Sequence, residues 1–482
     1  MRKSIVRITC FVLILSAVLM YANEILQPKA VEGIYNIGTF YEQEDDSVDV
    51  LILGSSHAFM NFNTGTLWDG YGMAAYVLGG SSQPMWNTYY YLKEALKTQT
   101  PEVIVLEGLG AARVIESFDV EIVINTHGMK WSLDKLNAIK ISAPRERWGE
   151  FILAYTQYHM RYPGLSEADF YEDRGNPFNS VYRDWKGFYC NMSTMTFEEV
   201  MDVSDIDDRK LLYEKTEEYY RKTIELAQEN NIPIVVVVTP YAAISETEES
   251  LYNTASDIAA EYGVDFINCN LLIDEIGIDY TTDVPDNSHL NYKGNQKFTQ
   301  YIAQYLKENY SISDRRGDSD YASWQGDAEY ISQQIYNQEL REMVDFDHIS
   351  KKIWNENYRL IISVDGDCTT EDESLQTFYS SIGITNDERN GIWYRDNTYG
   401  IDWYTHDGDE EKYIQIPAHD FHMRRYTDEE GGGYRNQVII DNTEYKNVEN
   451  GINIVVYDTV TDSIVDSFGL DYYDGYRLVR LP

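Results

Sequence analysis

The chain has 482 residues, enough for two or three domains at roughly 100–200 residues each. Its 39 Lys and Arg against 80 Asp and Glu give a formal charge of −41, which excludes an electrostatic grip on nucleic acid or an anionic membrane surface. With 43% hydrophobic and 14% aromatic residues, the acidity coats packed domains and does not mark a disordered chain. The 41 Tyr residues suit amphipathic packing first and sugar stacking second.

Residues 1–22 read as a signal anchor or signal peptide. Arg2, Lys3 and Arg7 flank an apolar run from Ile8 to Ala22. Met20-Tyr21-Ala22 supplies only the last small residue of a cleavage site, which favours a retained anchor. The run is short for a membrane span unless Ile5 and Val6 join it and Arg7 snorkels. Basic residues before the run place the remainder outside the cytoplasmic membrane, tethered, or secreted if cleaved. Cys10 does not follow the run, so it is no lipoprotein acceptor. Cys190, Cys269 and Cys368 are an odd set at irregular spacing, which argues against a disulfide framework, and no C-x-x-C offers zinc or redox chemistry.

Residues 35–310 form the first expected domain. Val48 to Leu53, Val103 to Leu106, Ile232 to Thr239 and Val264 to Ile267 are continuous apolar runs, the kind buried on both faces of a parallel sheet. Met85 to Lys97, Asp208 to Asn230, Glu246 to Tyr262 and Lys293 to Asn309 read as helices between and after them. This alternation predicts a three-layer α/β sandwich with its ligand crevice at the carboxyl ends of the strands. Residues 110–205 break the pattern and read as a helical insertion beside that crevice. Residues 311–350 read as a linker, Ser311 to Asp327, and a bridging helix, Tyr330 to Phe346.

Residues 351–482 change period. Tyr358 to Val364, Gly391 to Tyr394, Lys412 to Ile416, Gln437 to Ile440, Ile452 to Tyr457, Ser463 to Phe468 and Tyr476 to Leu481 are short strand-like runs separated by Gly, Asn and Asp. They predict an antiparallel β-sandwich, with 452–457 and 463–468 as its clearest hairpin.

Two segments carry candidate chemistry. The first run ends in Gly54-Ser55-Ser56-His57, which puts a hydroxyl at the crevice mouth. Asp286-Asn-Ser-His289-Leu-Asn-Tyr-Lys-Gly294 lies just before the last helix of the same domain. An Asp three residues before a His can hold one imidazole nitrogen while the other points outward. A hydroxyl becomes a competent nucleophile when an imidazole takes its proton, and the imidazole needs a carboxylate to fix its tautomer and steady its charge. Ser56, His289 and Asp286 suit those three roles.

These segments resemble blocks one and five of the SGNH/GDSL hydrolase superfamily over roughly residues 48–308. The Gly-Ser-Ser start is similar to the extracytoplasmic branch that includes the lipoteichoic acid D-alanylation protein D and the alginate O-acetylation proteins. The resemblance implies a flavodoxin-like sandwich with Ser56 as nucleophile and Ser55 in place of the usual Asp. It also implies an oxyanion hole made by the backbone N–H of Ser56 and of Gly79, within Leu78-Gly79-Gly80-Ser81, Gly80 being the near alternative. The family usually places an Asn after the strand occupied by Val103 to Leu106. This chain reads Glu107-Gly108-Leu109-Gly110-Ala111 there, leaving Asn125 as a substitute donor or substrate contact.

Other polar groups read more plainly. His57 adjoins Ser56 and is expected to shape the strand end or to contact substrate. His419 and His422 fall on opposite faces of a β segment. Asp365-Gly-Asp367 and Asp407 to Glu411 are acidic turns that complete no Ca²⁺ loop. No metal or cofactor is required. The expected function is an exported SGNH-type serine acyltransferase or esterase acting on acyl groups of a cell-envelope or extracellular polysaccharide, transfer favoured, with a membrane-bound acyltransferase as candidate partner. The rival is a non-catalytic envelope assembly protein that binds glycan or such a partner.

Overall fold

The computed structural model of the protein describes residues 2–27, 32–153, 155–165, 170, 185–366, 370, 372–382, 390–416, 419–428 and 433–480, in two compact units divided between Glu329 and Tyr330. The first holds α1 (Arg2–Leu26), α2 (Glu32–Phe40), β1 (Val50–Gly54), α3 (Ser56–Asn61), α4 (Thr64–Tyr71), β2 (Ala75–Gly79), α5 (Met85–Ala95) and β3 (Val103–Glu107). There follow α6 (Asp119–Thr126), α7 (Leu133–Ser142), α8 (Trp148–Ile152), α9 (Tyr155–Tyr158), α10 (Glu214–Glu229), β4 (Ile234–Val238), α11 (Glu246–Glu261) and β5 (Asp265–Asn268). Short α12 (Ile273–Ile276), α13 (Tyr292–Asn309) and the first turns of α14 (Ala322–Glu342) complete it.

The five strands form one parallel sheet in the order β2-β1-β3-β4-β5, the flavodoxin-like order, whose switch point lies between β1 and β3. Alternation decides which helices cover which face. Leu51, Leu53, Tyr76, Leu78, Ile104, Leu106 and Val236 meet α5, α10 and α11 through Trp86, Tyr91, Tyr220, Ile224 and Leu251. Val50, Ile52, Val77, Val105, Val235 and Val237 meet α3, α4 and α13 through Phe59, Leu67, Phe298, Ile302 and Leu306. Both faces are dry, which is why the strands read as unbroken apolar runs. Tyr76, Tyr91, Tyr220, Tyr252, Tyr292 and Tyr358 are among the largest fully buried side chains, so much of the tyrosine content fills cores.

The apolar helix α1 takes in Ile5 and Val6, as a membrane span would need. Lys3 to Asn23, 21 residues, form one continuous segment whose side chains are exposed as far as Tyr21, a rise of about 30 Å. An exposed apolar helix of that length is consistent with a signal sequence or an anchor.

Two expectations about the chain order need correction. Residues 311–327 are no free linker: the Arg315 guanidinium pairs with Asp49 at 2.7 Å, and the buried Trp324 indole donates to the Ala75 carbonyl at 3.1 Å. Among the described residues of the insertion, the α-helices α6 to α9 lie in its first part. Its end returns to the sheet, where Val77 N–H donates to Lys186 O, Tyr189 N–H to Phe59 O and Met195 N–H to Val284 O.

The second unit begins at Tyr330, earlier than residue 351. Beyond the end of α14 it contains α15 (Phe346–Lys352), β6 (Tyr358–Asp365), α16 (Glu373–Ser381), β7 (Gly391–Asp396), β8 (Gly400–Thr405), β9 (Glu410–Gln415) and β10 (Asp420–Asp428). Next come β11 (Gly433–Ile440), β12 (Thr443–Glu444), β13 (Gly451–Asp458), β14 (Ser463–Asp471) and β15 (Arg477–Val479). A six-stranded antiparallel sheet, β15-β14-β13-β6-β7-β8, packs on a four-stranded one, β12-β11-β10-β9, through Ile361, Ile392, Val455, Phe421, Met423 and Val438. The other face of the larger sheet is covered by helices, through Leu340, Ile349, Ile353, Phe378 and Tyr379, a layer that the strand pattern did not announce. The expected hairpin is β13–β14, with Asp458 opposite Ser463. His419 and His422 face different carboxylates, Asp441 and Glu411. Cys368 and Asp367 lie outside the described residues.

Candidate active site

β1 ends at Gly54, and the chain turns at once into α3. The turn is tight because the strand ends crowd together: a Cβ on Gly54 would lie 2.6 Å from Glu107 Cβ, and one on Gly79 would lie 2.4 Å from the Gly54 carbonyl oxygen. Ser55 caps α3, its hydroxyl accepting from His57 N–H at 3.3 Å, so Ser56 is the first helical residue. There its backbone N–H belongs to the turn that no intrahelical carbonyl serves.

The second segment is built as tightly. Asn291 caps α13, its side chain accepting from the Lys293 and Gly294 amides at 3.0 and 3.2 Å. Leu290 is fully buried, and a Cβ on Gly294 would meet Asp283 O at 2.3 Å. These anchors lead the preceding loop back to Ser56. His289 Nε2 lies 2.9 Å from Ser56 Oγ, and Nδ1 lies 3.0 Å from both oxygens of Asp286. With the Nδ1 proton donated to Asp286, Nε2 accepts from the serine hydroxyl, the arrangement that general-base activation requires. Partial burial raises the Asp286 pKa, but the His289 ring and the Ser288 and His289 amides outweigh it and hold the carboxyl down at about 2.

A buried polar layer supports this loop, and the sequence reading did not find it. Asn61 Oδ1 accepts from Leu290 N–H at 2.9 Å, while its Nδ2 donates to Thr239 Oγ1 at 2.9 Å. Thr239 also meets His57 Nδ1 at 3.1 Å. His57 is 2% exposed, and its ring packs edge-on against His289 at 5.3 Å and Tyr241 at 5.0 Å. Burial, reinforced by His289, pushes its pKa down to about 3, so it is a neutral packing and hydrogen-bonding group with no outlet to substrate. The available clue was the shared helix: Asn61 lies five residues after Ser56.

The other expected contacts fall elsewhere. Asn125 is fully buried and donates to Ser81 O and Glu121 O at 3.0 and 2.9 Å, tying α6 to the loop after β2. It is not positioned as a substrate contact. The Gly79 N–H is held by Asn36 Oδ1 at 3.1 Å. Because β2 is the edge strand, its alternate amides face outward, as Val77 N–H does toward Lys186 O. That removes Gly79 as an oxyanion donor in this conformation.

Glu107, at the end of β3, is 1% exposed. Burial raises its pKa to about 7, against the opposing hydrogen bonds from Leu109 N–H and Ser55. The neighbouring phenols of Tyr241 and Tyr252 are also raised, so they stay neutral. A carboxyl with a raised folded pKa costs stability as pH climbs from its unfolded value, 4.5, through its folded one, about 7. Glu107→Gln removes this cost. Its unfolding free energy relative to wild type rises by on the order of 3 kcal/mol between pH 4.5 and 8, as measured by denaturant titration at the two pH values. A constant difference would mean that Glu107 ionises freely.

No family model and no curated protein matches the sequence. A solved structure from Bacteroides fragilis, described as a "putative acylhydrolase", is similar over 56% of this chain and 93% of its own, at 11% identity and a TM-score of 0.27. A likeness so faint carries no argument about fold or activity.

Proposed function

We propose that the chain is an extracytoplasmic, membrane-anchored serine enzyme of the SGNH type that transfers or removes an acyl group on a cell-envelope or extracellular polysaccharide. The observation that carries the reading is the Ser56–His289–Asp286 constellation at the carboxyl end of β1, with 2.9 Å between Ser56 Oγ and His289 Nε2. Ser56 Oγ attacks the acyl carbonyl as its proton passes to Nε2. The tetrahedral intermediate collapses to an acyl-enzyme, and His289 returns the proton to the leaving hydroxyl. An incoming sugar hydroxyl or water then reverses these steps. The motif resemblance and the exposed apolar helix α1 supply the polysaccharide and the envelope setting.

Transfer is favoured over hydrolysis. Losing one oxyanion donor costs on the order of 10²–10³ in rate; here the stretch Glu107-Gly108-Leu109-Gly110-Ala111 lacks the customary Asn, and Gly79 N–H is bonded to Asn36. A sugar hydroxyl held beside the acyl-enzyme at high effective concentration tolerates a weaker hole better than dilute water does. Outside the membrane the acyl group would come from a membrane partner. The test is turnover of an activated acetyl ester with and without added oligosaccharide. Acylated sugar formed at the expense of free acetate is the expected result; fast hydrolysis that glycan neither slows nor diverts identifies an esterase. The weakened hole also favours the rival reading, a non-catalytic assembly protein, and absence of turnover on every ester would select it.

A further inference from the structure

The triad makes no use of Glu107, yet its carboxyl lies beneath the residue that precedes the nucleophile. Oε2 is 3.1 Å from Ser55 Oγ and 3.5 Å from Ser55 N, and Oε1 accepts from Leu109 N–H at 2.6 Å. Ser55 Oγ also accepts from His57 N–H at 3.3 Å. A hydroxyl has one proton and two lone pairs, so the contacts divide cleanly: the proton goes to Glu107 and a lone pair to the helix. Satisfying both leaves Ser55 one side-chain orientation, which fixes the first turn of α3 on which Ser56 stands. The Leu109 contact pins the far side of the same carboxyl, so the acceptor cannot swing. Gly54 leaves the room for this side chain, since a Cβ there would lie 3.0 Å from Oε2.

We infer that Glu107 is a positioning residue, acting through Ser55 to hold Ser56 within reach of His289. This rests on Ser56 being the nucleophile. The role differs from that of an oxyanion donor: a carboxyl that accepts from Ser55 and Leu109 sets the direction of the reactive hydroxyl. Displacement of a reacting group by about 1 Å can cost on the order of 10²-fold, so a loosened first turn is sufficient to matter.

The experiment is a double-mutant cycle on the full chain, read by the rate of Ser56 labelling with a fluorophosphonate and by amide exchange of residues 55–61. Glu107→Ala and Ser55→Ala each slow labelling on the order of tenfold to a hundredfold, and each raises exchange in α3 while the sheet stays protected. The double variant loses no more than either single one, because the two residues act as one unit. Glu107→Gln keeps an acceptor for Leu109 N–H but turns an amide NH₂ toward Ser55, where the hydroxyl needs an acceptor, so it does not restore the rate. Multiplicative losses in the double variant, or exchange raised throughout the unit, would make Glu107 an ordinary core residue and overturn the inference. So would wild-type labelling in Glu107→Ala. If the wild-type chain itself does not label, the serine-enzyme reading fails; unchanged α3 exchange in Glu107→Ala then refutes the positioning as well.

Discussion

Ser56→Ala abolishes labelling by a serine-directed fluorophosphonate and lowers turnover of small acetyl esters on the order of 10⁴–10⁶-fold, with the fold intact. The size follows from what the residue supplies: without a hydroxyl at the 2.9 Å contact to His289 Nε2, no acyl-enzyme forms, and what remains is whatever binding and the oxyanion hole give to water. The fold survives because Ser56 caps nothing. The capping hydroxyl belongs to Ser55, and Ala is a good helix former at the first position of α3. Melting temperature and activity therefore separate cleanly in this variant. Labelling of Ser56→Ala at the wild-type rate would move the nucleophile elsewhere.

The same contrast between Ser55 and Ser56 shows what the sequence could disclose. The sheet was legible because β1, β3 and β4 are covered on both faces and carry no polar interruption. β2, Ala75–Gly79, did not stand out because only Tyr76, Val77 and Leu78 supply its large apolar side chains, between Ala75 and Gly79. β10 was missed because Arg425, buried at an inward position, breaks its alternation, although Phe421 and Met423 point inward with Val438 and Ile440. The linker reading failed on long-range contacts: Arg315 and Trp324 find partners 266 and 249 residues away. Site legibility divides in the same way. Asp286 and His289 are three residues apart, a spacing a loop can close locally, and Ser56 follows a strand end marked by Gly54. The groups that aim them are pairs across the fold: Asn36 with Gly79, Ser55 with Glu107, Asn61 with Leu290, separated by 43, 52 and 229 residues. Nothing in local pattern connects such pairs, and one of them, Asn36 with Gly79, changed the reading of the oxyanion hole.

Asp286 offers the sharpest test of whether the triad works as one. Its carboxylate has two duties: it orients the His289 ring at 3.0 Å, and its Oδ1 accepts from Ser288 N–H and His289 N–H at 2.7 and 2.9 Å, closing the loop. Asp286→Ala removes both, whereas Asp286→Asn keeps an oxygen for the two amides and loses the charge that steadies the imidazolium. Turnover of Asp286→Asn should fall on the order of 10⁴-fold, about tenfold to a hundredfold less than for His289→Ala, because a misoriented base is better than none. The pH dependence follows from the depressed pKa. A carboxylate held at about 2 is ionised in the folded state throughout pH 4–9, so Asp286 adds no titration of its own to the activity profile in that range. The stability that this pairing contributes is present above the ordinary value of 3.8 and fades only as pH falls toward 2. The measurement is kcat/KM for Asp286→Asn, Asp286→Ala and His289→Ala from pH 5 to 8, with melting curves at each pH. If Asp286→Asn turns over at the wild-type rate while Asp286→Ala is merely less stable, the carboxylate is a loop tether, and His289 draws its tautomer from somewhere else.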